Sequence, residues 1–276
     1  MGYRRILAGT DGSETATASV RTAARLAKRF RSDLLVVSAY EPPGFPAERA
    51  QQALDLAAAA AQEEGGEAHT EILLGQIAEV LLDRARRRGV ELIVIGNRGI
   101  GPAKRIGLGS LADRVAHDAP CDILIVNTAG PGRRSVDLYR SMLVGTDGSA
   151  TASEAVRKAF ELALVLRATV HLAHVGDPLL GAITLEEAEA GKLGKTEVMQ
   201  HRLEGDPADR LLEVAEAQQV GQAIPGGSEK LAHGISDFRF QILNFRSRPQ
   251  IGISHRIKRS TLLAASAFVA HASGSD

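Results

Sequence analysis

The sequence contains one cysteine, no tryptophan and few other aromatic residues, which together make up 4% of the chain. A single cysteine, Cys121, excludes an intramolecular disulfide and a site built from paired cysteines. Scarce aromatic side chains argue against the stacking platforms that bind single-stranded nucleic acid. Lysine plus arginine and aspartate plus glutamate number 33 each, so the basic excess typical of nucleic-acid-binding proteins is also missing.

Long apolar segments are missing too. The apolar stretch Leu262–Ala270 is too short to cross a bilayer. The opening residues, Met1–Arg5, have no apolar region of the kind found in secretory signals. We therefore expect a cytoplasmic protein with neither a membrane nor a nucleic acid as partner. Its 276 residues are enough for two domains of ordinary size.

Strand-like and helix-like segments alternate through the first half of the chain. Short apolar runs predict five strands, and segments with helical periodicity separate them, as at Thr17–Phe30. Strands that are apolar throughout are typical of a parallel sheet covered on both faces. The pattern predicts an α/β fold with an open, doubly wound parallel sheet that binds ligands at the carboxyl ends of its strands. The predicted strands are Arg5–Gly9, Leu34–Tyr40, His69–Leu74, Leu92–Ile95 and Ile123–Val126.

The pattern then begins again. Gly145–Ser149 repeats Gly9–Ser13 residue for residue. The first helix, the second strand, and the third strand with its helix are also repeated, and the repeat continues to about Val220. We predict a first domain at residues 1–128, a linker at 129–138, and a partial second copy at 139–220. Residues 221–276 form a divergent tail, so the second copy is degenerate at its C-terminal end.

In the tail the repeat is lost. Pro225 falls where the fourth strand of the second copy should be, and proline is disfavoured in a central strand. Within the tail, Phe238–Phe245 is predicted as a strand and Thr261–Ala270 as a short helix. Two explanations stay open for the abrupt change: a reading-frame shift near codon 221 and a genuine divergent tail.

A glycine-rich segment follows the fourth predicted strand. Gly96 and Gly99 are followed, nine residues later, by Gly109 and Ser110. Glycines allow backbone N–H groups to approach phosphate oxygens closely, and a helix that begins at Ser110 would direct its N-terminus at an anion. Ser110 with Asp113 also forms an ordinary capping box, which any helix can use. The complete spacing between a strand and a helix favours the phosphate interpretation.

Charged residues near these segments have two interpretations each. Asp11 and Asp147 follow the first strand of each copy, where a carboxylate can accept hydrogen bonds from a nucleotide, but Asp-Gly-Ser is also a good turn. Arg98, together with Lys104 and Arg105, could neutralise phosphate or simply face solvent. His171 and His174 have the wrong spacing for a metal pair, and Cys121 has no visible histidine partner, so neither is predicted to carry chemistry.

Taken together, these residues resemble the universal stress protein family. The resemblance includes the strand end Gly9–Ser13, the glycine signature Gly96, Gly99, Gly109, Ser110, and the segment Ala119–Val126. It covers residues 3–128 fully and the second copy only from about 140 to 220. The resemblance implies a five-stranded sheet in the order 3-2-1-4-5. For members that carry the glycine signature, it also implies ATP or a related adenine nucleotide such as AMP or ADP, with Mg²⁺ as a companion of ATP.

The resemblance also implies roles for individual residues. Thr10, Asp11 and Ala39 match the adenine side, with Ile95 nearby. The ribose and phosphate side is matched by Gly96, Gly99, Gly109, Ser110 and Leu111, next to Arg98. In the second copy Asp147 and Val175 match adenine-side positions, but no phosphate loop follows, so the second site is predicted not to bind nucleotide.

The leading hypothesis is an ATP-binding stress-response regulatory protein with one competent site. No positioned general base, nucleophile or Walker-type lysine is visible, so dedicated catalysis is not predicted, although weak ATP hydrolysis or autophosphorylation stays compatible with the sequence. Two rivals stay open: an adenylyl- or phosphoryl-transferring enzyme, and a ligand-free oligomerisation module. In the family the fifth strand commonly pairs with its counterpart, within the chain or in a homodimer. Here the edge Ile123–Val126 is left for another chain.

Overall fold

The computed structural model describes residues 2–96, 110–126 and 140–218, together with two short strands at 240–243 and 267–268. Contacts divide the chain into two compact units, Gly2–Gly130 and Pro131–Asp276, called here the first unit and the second unit.

Strands and helices alternate strictly through the described part of the first unit. Its five strands are all parallel and lie in the order β3-β2-β1-β4-β5, which confirms the predicted α/β class and strand order. The elements are β1 (Arg5–Gly9), α1 (Glu14–Phe30), β2 (Asp33–Tyr40), α2 (Ala47–Glu63), β3 (His69–Leu74), α3 (Ile77–Arg88), β4 (Leu92–Gly96), α4 (Ser110–Asp118) and β5 (Asp122–Val126).

Both faces of this sheet are covered. Ile6, Leu7 and Ala8 are all inaccessible to solvent, and successive residues of a strand face opposite sides, so β1 is buried on each face. Helix α1 packs against α2, and α3 packs against α4. The buried side of α2 consists of five alanines and Leu54, and the small alanine side chains let the helix lie close to β2.

Local sequence signals explain where the helices begin and end. The Ser13 hydroxyl accepts a hydrogen bond from the Ala16 N–H and so caps α1. Helix α3 ends with three arginines, which suit the negative end of the helix dipole, followed by Gly89 in the left-handed conformation at φ 59°.

The second unit repeats the first three strands. Strands β6, β7 and β8 are parallel and adjacent in that order. The elements are β6 (Ser141–Gly145), α5 (Ala150–Leu166), β7 (Thr169–Val175), α6 (Pro178–Ala190), β8 (Val198–Leu203) and α7 (Pro207–Ala217), followed by β9 (Phe240–Leu243) and β10 (Ala267–Phe268).

Two elements bear on the predictions for the tail. Strand β9 lies inside the predicted strand Phe238–Phe245. The predicted helix Thr261–Ala270 is wrong at Ala267–Phe268, which form β10 and pair in parallel with β9. Strand pairing here overrides the helix propensity of the alanine-rich sequence.

Candidate functional site

The strand order of the first unit creates a crevice at the carboxyl ends of β1 and β4. From β1 the chain proceeds outward to β2 and β3, and it then returns to place β4 on the other side of β1. Helices therefore leave these two neighbouring strands in opposite directions, and the crevice between them is where doubly wound sheets bind ligands. Thr10 and Asp11 follow β1 at this point, while Ile95 and Gly96 end β4.

The turn after β1 is held by its own side chains. The Thr10 N–H donates to the Val37 carbonyl of β2 at 3.0 Å, and the Thr10 hydroxyl accepts from the Gly12 N–H at 3.2 Å. Asp11 Oδ1 accepts from both the N–H and the hydroxyl of Ser13, at 3.0 and 2.5 Å. Asp11 is half-buried and fixed in orientation. An ionised carboxylate is an acceptor with two oxygens, so Asp11 has the chemistry to accept a hydrogen bond from a ligand donor.

The remaining predicted residues that the structure describes lie around the same edge. Ala39, near the end of β2, and Ile95 are buried, while Gly96 is half-buried. Helix α4 begins at Ser110 as predicted, and Leu111 in its first turn is half-buried. Arg98, Gly99 and Gly109 lie outside the described residues, as do Lys104 and Arg105.

Ser38, which sequence reasoning did not single out, lies directly before Ala39. Its side chain is fully buried, and its hydroxyl has no hydrogen-bond partner among the described residues. The only signal for it was a polar residue inside an apolar strand, which does not distinguish a binding residue from a packing residue.

The second unit builds the same turn in a different setting. The Thr146 N–H donates to the Ala173 carbonyl at 2.8 Å, and the Ser149 N–H donates to Asp147 Oδ1 at 2.9 Å. Asp147, however, is exposed. Register makes His174 the counterpart of Ser38, because Ala173 accepts from Thr146 as Val37 accepts from Thr10.

His174 is buried and packs against helix α6. Its Nδ1 lies 2.9 Å from the carbonyl oxygen of Thr146 and therefore donates to it. A Cβ added at Gly181 of α6 would lie only 2.8 Å from the His174 ring, so glycine is what allows this close approach. The predicted adenine-side residue Val175 ends β7, and α6 begins almost at once, at Pro178.

His171 lies on the other face of β7 from His174. Its Nδ1 lies 3.0 Å from Nε2 of His201 on β8, and the two rings are stacked. Burial lowers the pKa of His171 to about 4, assisted by the neighbouring His201 and opposed by Glu197. Burial also lowers the pKa of His201. Both imidazoles are therefore neutral at pH 7, and one donates its proton to the other.

Three further features of the described residues concern metal binding, the cysteine and membrane insertion. Within residues 2–96, 110–126 and 140–218, no three histidine, cysteine, aspartate or glutamate side chains are grouped to hold a metal ion. Cys121 is buried. No helix in the described ranges has the length and apolar character needed to span a bilayer.

Comparison with known proteins gives a consistent result. The chain matches the model of the universal stress protein family twice, at residues 2–127 and 138–221. It is 33% identical to universal stress protein MJ0531 of Methanocaldococcus jannaschii over 139 residues, which are 45% of this chain and 82% of that protein. A universal stress protein of Mycolicibacterium smegmatis is 29% identical over 211 residues, 68% of this chain and 70% of its own length.

A solved structure extends the likeness across both units. A universal stress protein from Archaeoglobus fulgidus shares the fold with a TM-score of 0.62 and 21% identity. The match covers 78% of this chain and 84% of that one.

Proposed function

Because this chain belongs to the universal stress protein family, we propose that it is a stress-response regulatory protein whose first unit binds one adenine nucleotide, ATP foremost. The observation that carries the proposal is the meeting of two segments at one crevice. The fixed turn Thr10–Asp11 ends β1, and Gly96, the first glycine of the signature, ends the adjacent β4.

Each side of the crevice has its own chemistry. On the adenine side, Asp11 would accept hydrogen bonds from an amino group or a ribose hydroxyl, beside Thr10, Ala39 and Ile95. On the phosphate side, backbone N–H groups and the N-terminus of α4 suit an anion, and Mg²⁺ would accompany ATP through its phosphate oxygens. The proposed phosphate-side residues are Gly96, Arg98, Gly99, Gly109, Ser110 and Leu111.

The proposal assigns no nucleotide to the second unit. Asp147 is exposed where Asp11 is half-buried, and the sequence after β8 and α7 contains no counterpart of the glycine signature. We therefore expect one nucleotide per chain.

Nucleotide released from the purified full-length protein, identified by mass spectrometry, tests the proposal directly. Calorimetry with ATP should give one site per chain. Gly109→Val should abolish this binding because a side chain would stand where phosphate approaches backbone N–H groups. Gly107→Val is the matched control, since Gly107 lies in the same segment but outside the signature, and it should retain most of the affinity.

The other outcomes separate the rival functions. No released nucleotide, together with no thermal shift on adding ATP or AMP, would indicate a ligand-free oligomerisation module. Efficient transfer of a phosphoryl or adenylyl group to an added acceptor would indicate an enzyme.

The proposal extends to assembly. The resemblance to the family implies that the fifth strand, here β5, pairs with its counterpart in a partner domain or a second copy. A second copy of this chain is the expected partner, which gives a homodimer. Sedimentation at several protein concentrations tests this part, and a monomer at every concentration would contradict it.

A further inference from the structure

Helix α6 of the second unit presents three large apolar side chains to solvent. Leu179, Leu180 and Ile183, called here the α6 patch, are 79%, 53% and 57% exposed. They lie on one side of the helix, whereas Gly181 and Leu185 on its other side are buried. Single exposed leucines are ordinary, but an apolar cluster on one surface marks a contact site.

The equivalent helix of the first unit shows that the fold does not require this patch. A Cβ at Gly12 would lie 3.2 Å from Ala53 of α2, and a Cβ at Gly148 would lie 3.4 Å from Thr184 of α6. These matching contacts align the two helices. At the positions of the α6 patch, α2 carries three exposed polar residues: Glu48, Arg49 and Gln52.

Capping hydrogen bonds hold the first turn of α6, which carries part of the α6 patch, in a fixed conformation. Asp177 caps α6 by accepting from the N–H groups of Leu179 and Leu180, each at 2.9 Å, and Pro178 occupies the first helical position. Because the backbone is already ordered, a partner would lose little conformational entropy by docking here.

Negative charge borders the patch along the same side of the helix. Glu186 and Glu187 follow Ile183 by three and four residues and are exposed, and α6 contains no lysine or arginine. Within the described ranges neither glutamate forms an ion pair, and the nearby Lys192 pairs with Glu189. The exposed side of α6 is therefore apolar at its start and acidic towards its end.

The charge pattern of the exposed side of α6 indicates which kind of molecule can bind there. A second copy of α6 would bring acidic residues against either acidic or apolar ones, so it offers no complementary charge. An anionic lipid surface would repel the same carboxylates. A protein segment with apolar residues on one side and lysine or arginine beside them satisfies both halves of the surface.

We propose that the α6 patch docks a basic amphipathic segment of a partner protein. Apolar side chains of the partner cover Leu179, Leu180 and Ile183, and its cations lie against Glu186 and Glu187. Helix-on-helix docking of this kind uses anchors spaced by three and four residues.

A synthetic amphipathic helical peptide with leucine on one face and lysine on the other, labelled for fluorescence anisotropy, tests the proposal on the full chain. A peptide with glutamate in place of lysine is its matched control. The lysine peptide should bind and the glutamate peptide should not. Replacing Leu179, Leu180 and Ile183 together by glutamine should weaken binding at least about tenfold.

Two further variants separate the apolar and charged contributions. Glu186→Gln with Glu187→Gln should weaken the lysine peptide about threefold to tenfold at low salt, with a smaller effect at high salt. Leu56→Gln with Leu74→Gln, at leucines of the first unit that are 55% and 66% exposed, should change nothing. Equal binding of both peptides, or retained binding in the triple variant, would overturn the proposal. So would phosphatidylglycerol vesicle binding or self-association lost in the triple variant.

Discussion

The two units share one turn and differ in what surrounds it. In both, a threonine N–H donates to the neighbouring strand, and an aspartate accepts from a serine N–H at 3.0 or 2.9 Å. That serine caps the following helix at 3.2 Å in each case. The repeated sequence Gly-Thr-Asp-Gly-Ser therefore encodes a turn and a helix cap wherever it occurs, and it does not by itself report a nucleotide site.

The connection after the second strand separates the units. In the first unit Glu41–Pro46 join β2 to α2, whereas in the second unit only Gly176–Asp177 join β7 to α6. The interior also differs between the units. Strand β7 has His174, which packs against Gly181, where β2 has Ser38. A duplicated unit can thus keep its local turn while its interior and its exposed helix face change independently.

Among the expected differences between the two units, the largest is in nucleotide affinity. Asp11→Ala should weaken ATP binding about 10-fold to 150-fold, since a hydrogen bond to a charged group contributes about 1.5–3 kcal/mol. Asp147→Ala should leave ATP binding unchanged, although it removes the same turn contact to serine. Calorimetry of the two variants decides the matter, and equal losses would show that the second unit contributes to the site.

The fold of the first unit was predictable from sequence because its signals are local and repeated. Continuous apolar strands, alternating helices and the three arginines before Gly89 each specify an element directly. Helix α6 was missed, although Asp177-Pro178 is a good start signal, because its residues Leu179–Ala182 suggest no amphipathic period. Its exposed leucines belong to a surface that the packing of its own unit does not explain.

The sequence alone predicted which residues belong to the candidate site, but it did not predict the contacts between distant residues. Spacing and resemblance placed Asp11 and Gly96 at strand ends, and topology brings them to one crevice. The His171–His201 pair could not be foreseen, because it depends on the register of β7 and β8, which sets residues 30 positions apart side by side.

Acidification should weaken the second unit more than the first. His171 has a folded-state pKa of about 4, below its ordinary value of 6.5, so protons bind more tightly to the unfolded chain. Stability is fully present above about pH 6.5 and declines as the pH falls through 6.5 towards 4. At about pH 5 the free energy of unfolding should be lower by about 1–2 kcal/mol.

Strand register supplies the control for this pH effect. His171 pairs with Leu143 as Leu35 of the first unit pairs with Leu7, so His171→Leu installs the first unit's residue. Urea denaturation at about pH 5 and pH 7.5 should show a smaller pH difference in this variant. An unchanged difference would mean that another group carries the acid sensitivity.

A smaller effect tests the repacked interior. Gly181→Ala should destabilise the second unit by about 1–2 kcal/mol, because the new methyl group meets the His174 ring at 2.8 Å. In a His174→Ser background the same substitution should stabilise by about 0.5–1 kcal/mol, since alanine favours a helix over glycine. The sign reversal in denaturation experiments is the diagnostic result, and the same sign in both backgrounds would contradict the packing explanation.

The smallest effect concerns the shared turn itself. Ser13→Ala and Ser149→Ala each remove a helix cap, which contributes about 1 kcal/mol. Ser13 also donates its hydroxyl proton to Asp11 in a partly exposed turn, so its loss should cost about 0.5 kcal/mol more. Hydrogen exchange at the Ala16 and Ala152 amides, which the two hydroxyls cap, measures each local opening separately. A larger loss of protection at Ala152 than at Ala16 would contradict the extra stabilisation assigned to the Ser13–Asp11 hydrogen bond.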